Sequence, residues 1–193
     1  LTAWFKIFSG GGYQAIVDTW GTTWYGMWVS SNNKLLFGDD DGNVYCMDLN
    51  GNIVWRTELK GSVRGTLLYT KDRIIVSHME YDGIVPKHGW LTAISLNGSI
   101  LWSMEISTEL GLLAGDSHIY VGTGNGIAKI SMPGKICWET PLNGPVKAAP
   151  LIIKHGNEEN IIAVSNCENG SVYLLDSHGR ILDSIELNSY VIS

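Results

Sequence analysis

One stretch of this chain recurs along its length, and that recurrence restricts the fold more than any other feature. Residues 42–55 read GNVYCMDLNGNIVW and residues 89–102 read GWLTAISLNGSILW, and the two align without a gap. Residues 126–138, GIAKISMPGKICW, are a third copy one residue shorter. Residues 170–183, GSVYLLDSHGRILD, are a fourth that ends on Asp183 instead of tryptophan. Trp55, Trp102, Trp138 and Asp183 follow one another at intervals of 47, 36 and 45 residues. A repeat of roughly 40 residues with several strands per unit marks a propeller blade.

The physical logic of a unit is the same each time. An alternating run such as Val44-Tyr45-Cys46-Met47 suits a strand. Asn50-Gly51, Asn97-Gly98, Pro133-Gly134 and His178-Gly179 then predict tight turns, because glycine reaches positive φ without steric cost. The returning strand carries the tryptophan. Before each pair lies a further strand, at 34–38, 73–78, 118–123 and 160–166. Before that comes one more, at 65–70, 111–115 and 146–154. Helical periodicity is absent. Each unit is thus predicted to be a four-stranded antiparallel sheet with two apolar faces, which must stack between neighbours.

The run from Phe37 to Trp55, FGDDDGNVYCMDLNGNIVW, resembles the pyrroloquinoline-quinone-like (PQQ-like) propeller repeat. The resemblance extends over residues 34–193 and implies an all-β propeller, related in architecture to WD40 proteins. Repeats of this type occur in quinoprotein dehydrogenases, in the outer-membrane assembly lipoprotein BamB and in sensor domains of membrane kinases. The resemblance further implies that Trp55, Trp102 and Trp138 dock each blade on its neighbour, and that this role is lost at Asp183. Blades are expected at 22–60, 61–107, 108–143 and 144–188, with end strands at 3–8 and 189–193. An outer strand at one end and an inner strand at the other leave unpaired edges. The expectation is a part of a larger propeller, or a chain completed by a partner, over a closed four-bladed ring.

Composition excludes several functions. The 193 residues carry a net charge of −6 and no basic run, so a nucleic-acid partner is not expected. No apolar stretch approaches the roughly 20 residues of a membrane span. Cys46, Cys137 and Cys167 are distant from one another and odd in number, which suits free thiols on buried strands and neither a CxxC metal site nor a disulfide framework. Quinone enzymes of the resembled family use calcium, an adjacent cysteine pair and an arginine; this chain has no such pair, so neither a cofactor nor catalysis is expected.

The remaining motifs have plain readings beside sharper ones. Asp39-Asp40-Asp41-Gly42 is calcium-like, but a full loop lacks its further ligands, and a turn explains it. The five histidines have no metal spacing. Gly122-Thr123-Gly124-Asn125-Gly126 imitates a nucleotide loop but precedes no helix, so it is predicted to be a strand-to-strand turn. The segment 78–89, HMEYDGIVPKHG, is predicted to be a long loop, and loops on rigid scaffolds carry binding. Tyr81 and His88 are its candidate contact residues. Trp24 and Trp28 fall on one face of a strand predicted at 22–30, either as core or as a stacking platform for a sugar or peptide. Two sequons, at Asn97 and Asn169, coincide with turns. The expected function is non-catalytic binding or scaffolding of a protein or peptide. The alternatives are a carbohydrate-binding propeller or a piece of a quinoprotein dehydrogenase. The family resemblance leans to an extracytoplasmic site.

Overall fold

The computed structural model describes residues 14–17, 27–29, 34–63, 67–83, 85–106, 108–114, 117–155, 158–165, 167, 169–187 and 189. Among them there is no helix, and the strands form four antiparallel sheets. The first sheet runs in the order β1 (Gln14–Val17), β2 (Met27–Val29), β3 (Lys34–Gly38), β4 (Asn43–Asp48), β5 (Ile53–Glu58). The second holds β6 (Leu67–Tyr69), β7 (Arg73–Asp82), β8 (Val85–Ser95) and β9 (Ile100–Glu105). The third holds β10 (Thr108–Ala114), β11 (His118–Thr123), β12 (Gly126–Ser131) and β13 (Ile136–Pro141). The fourth holds β14 (Leu151–His155), β15 (Glu158–Val164), β16 (Ser171–Leu175) and β17 (Ile181–Glu186). Neighbours in space are neighbours in sequence throughout, which makes each sheet a meander, the topology of a propeller blade.

Three apolar clusters sit between successive sheets. Leu36, Val44 and Cys46 of the first blade meet Leu67, Ile74, Val76 and Ile94 of the second. Ile75, Leu91 and Ala93 leave the second blade by its other face and meet Ile119, Val121, Ala128 and Ile130 of the third. Tyr120 and Ile127 of the third meet Ile161, Ala163 and Leu175 of the fourth. Successive side chains of a strand point to opposite faces, so an inner blade buries both sets. That is why β7 is buried without a break from Ile74 to Met79. The residue after each outer strand donates its N–H back to the third strand of its own blade or the turn that opens it, Leu59 to Gly42, Ile106 to Gly89, Leu142 to Asn125 and Leu187 to Gly170.

Several sequence expectations change. The segment 78–89 is not a loop. β7 and β8 continue through it as a two-stranded hairpin, pairing Met79 with Gly89, Glu80 with His88, Tyr81 with Pro86 and Asp82 with Val85. A two-residue loop closes it, opening on Gly83 at φ 63°, where glycine fits and other residues strain. A strand at Gln14–Val17, which the sequence reading did not anticipate, extends the first blade to five strands. The innermost strand of the fourth blade begins at Leu151, directly after Pro150, and not at Val146. Of the thiols, Cys46 is buried, Cys167 half-buried and Cys137 exposed on an outer strand. The end strands expected at 3–8 and 189–193 fall almost wholly outside the described residues.

Candidate functional site

The three tryptophans occupy one register position, opposite Cys46, Ala93 and Lys129, and Asp183 occupies it opposite Leu174. Each indole reaches the next blade. Trp55 donates its Nε1–H to the Leu96 carbonyl at 3.0 Å, Trp102 to Met132 at 2.8 Å, and Trp138 to Ser177 at 3.0 Å. Two residues beyond each acceptor stands a glycine at positive φ, and the ring lies against it. A Cβ on Gly98, Gly134 or Gly179 would come within 2.9, 2.6 and 2.6 Å of the indole. The glycine therefore makes the turn and also leaves the space the ring fills. Thr57 and Thr140 add hydroxyl bonds of 2.6 Å to the Gly98 and Gly179 carbonyls. At the middle junction Arg73 supplies the second bond, to Met132 at 2.9 Å. Asp183 has no N–H to offer such a carbonyl, and its carboxylate accepts from the Ser184 N–H.

The blade-2 hairpin is the most distinctive surface. Its two strands run past the rest of the sheet: β9 pairs with β8 only as far as Trp90, opposite Glu105. Among the described residues no third strand pairs with Val85, Pro86, Lys87 and His88, and Val85 is 61% exposed. Yet this edge is poorly suited to strand addition. Pro86 lacks an N–H, a register shift falls between Glu80 and Tyr81, and Lys87 is charged, three devices that blunt sheet edges.

A polar-aromatic cluster roots the hairpin. The buried His78 ring stacks on Trp90 at 5.5 Å and 17°, and His88 leans on the same indole at 5.9 Å. The Lys60 ammonium lies 5.7 Å from the Trp90 ring centre, within cation–π range. His88 Nδ1 meets Glu105 Oε1 at 3.1 Å, and His78 Nε2 meets Thr92 Oγ1 at 2.8 Å, which in turn bonds Ser103 Oγ at 2.7 Å. His78 Nδ1 is buried with no partner among the described residues.

Burial, with the Lys60 charge adding to it, pushes the His78 imidazole down to about 4. In the unfolded chain it titrates near 6.5. The unfolded state therefore binds the extra proton between these values. The stability tied to neutral His78 is complete above pH 6.5, falls with pH below it, and is gone near pH 4, in total about 3 kcal/mol. Urea melts of the parent and of His78→Gln should diverge in slope across that window by up to about 1.4 kcal/mol per pH unit. Parallel pH profiles would contradict it.

The other sequence candidates resolve as follows. Tyr81 and His88 both stand on the hairpin. Trp24 lies outside the described residues. Trp28 is on β2, paired through its backbone with Ala15 and Leu36. Asp39 is a turn residue: it accepts from the Asn43 backbone and amide and, at 3.0 Å, from Tyr45 Oη. Burial works to raise its carboxyl, and those bonds outweigh it, so it stays below the usual carboxylate range. Among the described residues no three His, Cys, Asp or Glu side chains gather to hold a metal. Between blades 1 and 2, Leu36, Cys46, Trp55, Tyr69 and Ile74 line a cavity of about 130 Å³, below the roughly 300–1,000 Å³ of ordinary small-molecule sites. Burial pushes the Cys46 thiol up, which keeps it protonated there. The sequence reading missed Lys60, His78, Trp90 and Glu105. Asp82-Gly83 was the signal that could have found them, since an Asp-Gly pair between strands marks a hairpin.

Stacked antiparallel meanders locked by indole-on-glycine contacts make this chain a β-propeller module. The family model described as "Outer membrane protein assembly factor BamB" matches residues 14–85 and 87–182. The chain belongs to that family of PQQ-like propeller repeats. No curated protein matches the sequence significantly. Among solved structures it is similar to the quinohemoprotein alcohol dehydrogenase of Comamonas testosteroni, at 16% identity and a TM-score of 0.66, covering 80% of this chain and 34% of that one. It is similar to BamB from Moraxella catarrhalis, at 12% identity and a TM-score of 0.50, over 92% of this chain and 77% of that one. The WD40 domain of Neurospora crassa Pan2 aligns at 15% identity and a TM-score of 0.54, over 83% and 48%. These likenesses concern the fold, and the chain spans about a third of the length of the dehydrogenase. No helix among the described residues is long and apolar enough to cross a membrane.

Proposed function

We propose that this chain is a non-catalytic propeller module that binds a protein or peptide partner through the side chains of its blade-2 hairpin, on the extracytoplasmic side of a membrane. The observation that carries the reading is the hairpin itself: two strands continued past their sheet, with Val85 and His88 exposed on β8 and Tyr81 half-buried on β7. A rigid scaffold presenting one such projection suits recognition of another protein. Membership in a family described by an outer-membrane assembly factor supports both the partner class and the compartment.

The cysteines at 46, 137 and 167 include no adjacent pair, which favours the non-catalytic reading over a quinone enzyme. Protein incubated with PQQ and calcium and then desalted is expected to retain no quinone absorbance; a stoichiometric bound quinone would overturn the non-catalytic reading.

The binding reading is tested by placing a photo-cross-linking residue at Tyr81 or Val85 and, as a control, at Lys135 on an outer hairpin of blade 3. In cells, the hairpin positions are expected to give a discrete adduct to another protein and Lys135 none. Equal yields from all three positions, or none from the hairpin, would reject the hairpin as the binding surface.

A further inference from the structure

Five Asn-Gly pairs occur in this chain, Asn50-Gly51, Asn97-Gly98, Asn125-Gly126, Asn143-Gly144 and Asn169-Gly170. We infer that Asn50-Gly51 is a site of spontaneous covalent modification, where asparagine converts through a cyclic imide to aspartate and isoaspartate, and that the docked Trp55 shields Asn97-Gly98 from the same reaction. In the reaction the backbone nitrogen of the glycine loses its proton and attacks the asparagine Cγ. A C–N bond closes the imide, and the side-chain amide departs as ammonia with the proton. Water then adds at either imide carbonyl and breaks one ring C–N bond, giving aspartate or the isomer with its backbone routed through Cγ. No oxidant or cofactor enters.

The two outer hairpins are near twins, which isolates what differs. Gly51 has φ 88° and Gly98 has φ 90°. Their N–H groups are tethered alike, Gly51 to the Asp48 carbonyl at 3.1 Å and Gly98 to the Ser95 carbonyl at 3.0 Å. Asn50 and Asn97 are both exposed. The Asn97 side-chain oxygen, however, accepts from Ser95 Oγ and from the Ser99 N–H at 3.3 Å, so its Cγ must leave that arrangement to meet Gly98 N. Asn50's carboxamide makes no hydrogen bond among the described residues. Gly98 also lies under the Trp55 ring, with a Cβ position 2.9 Å from the indole, and its carbonyl accepts from Thr57. The same position on Gly51 meets no described atom within 4 Å. Ring closure needs the glycine to turn towards the asparagine side chain. That freedom exists at Gly51 and is blocked at Gly98. The other three pairs are constrained as well: buried Gly126 has a Cβ position 2.1 Å from the Thr140 carbonyl, the Asn143 carboxamide donates to the Asn169 carbonyl at 2.9 Å and to Ser171 Oγ at 3.1 Å and accepts from Ser165 Oγ, and Gly170 is buried.

The product alters the first blade's hairpin. It adds a negative charge two residues from Asp48, and the isoaspartyl form lengthens the backbone inside a turn held by Asp48-to-Asn52 bonds.

The test is peptide mass spectrometry of the full chain aged in mildly alkaline buffer at physiological temperature, folded and in urea. In urea Asn50 and Asn97 should convert at equal rates. In the folded chain Asn50 should outrun Asn97 by about ten-fold or more, since two hydrogen bonds and a packed ring must be given up at Asn97. Trp55→Phe removes the indole bond while keeping an aromatic ring, and Ser95→Ala removes one donor to Asn97 while leaving Trp55 in place; each should raise the Asn97 rate and leave that of Asn50 unchanged. Equal folded rates at the two sites, a faster Asn97, or an Asn97 rate indifferent to both substitutions would overturn the inference.

Discussion

Replacing Trp102 with alanine is expected to lower the stability of the chain by about 3 kcal/mol, the low end of the cost of deleting a core aromatic, because the ring is partly buried. Trp102 packs against the cluster shared by blades 2 and 3, beside Ile75, Ala93, Ile119 and Ile130. Its indole donates to the Met132 carbonyl, the same oxygen that receives Arg73. Alanine removes the ring, opens a cavity between two sheets and deletes one of the two side-chain bonds to the Met132 carbonyl. The junction is internal, so neither blade can turn the exposed face to a substitute. A urea melt measures the loss; a change below about 1 kcal/mol would remove Trp102 from any docking role.

Gly134→Ala is expected to cost about 2–5 kcal/mol, against only about 1–2 kcal/mol for Gly51→Ala. Both glycines hold left-handed backbone, at φ 84° and 88°, so both substitutions carry the same conformational strain. They differ in what the new methyl meets. At Gly134 it would stand 2.6 Å from the Trp102 ring and must displace the indole from its carbonyl acceptor. At Gly51 it meets no described atom within 4 Å. The difference between the two variants measures the fit of ring to glycine with the backbone term cancelled. Equal losses would mean the turns matter only as turns, and that the indole contact stabilises nothing.

The blade plan was legible because it rests on short-range rules that repeat: alternation in β4, β8, β12 and β16, and a glycine turn before each tryptophan. The partner of each indole was not legible as atoms. The Leu96, Met132 and Ser177 carbonyls are backbone groups with no sequence signature, and the sequence marks only the glycine two residues later. The hairpin was misread as a loop because Pro86 and two glycines look like punctuation. Pro86 is tolerated there because no described strand pairs with β8 on that side. His78 looked like an isolated histidine. Only the pairing of His78 with Trp90 places it under an indole and beside Lys60, and that register depends on where Gly83 closes the turn. The strand at Gln14–Val17 has too few residues and too plain an alternation to stand out.

Shortening the hairpin separates what folds the chain from what the chain recognises. Residues 80–88 are replaced by Asn-Gly, joining Met79 to Gly89, a pair already opposite each other in the ladder. The binding constant for the partner identified by cross-linking at Tyr81 is then compared between the shortened and full chains. Stability should stay within about 1 kcal/mol, because the inter-blade clusters and the three indole contacts are untouched. Affinity for the partner should fall by at least about thirty-fold, the loss of a single strong interface anchor. A shortened chain that keeps its fold and binds the partner with undiminished affinity would contradict the assignment of binding to the hairpin.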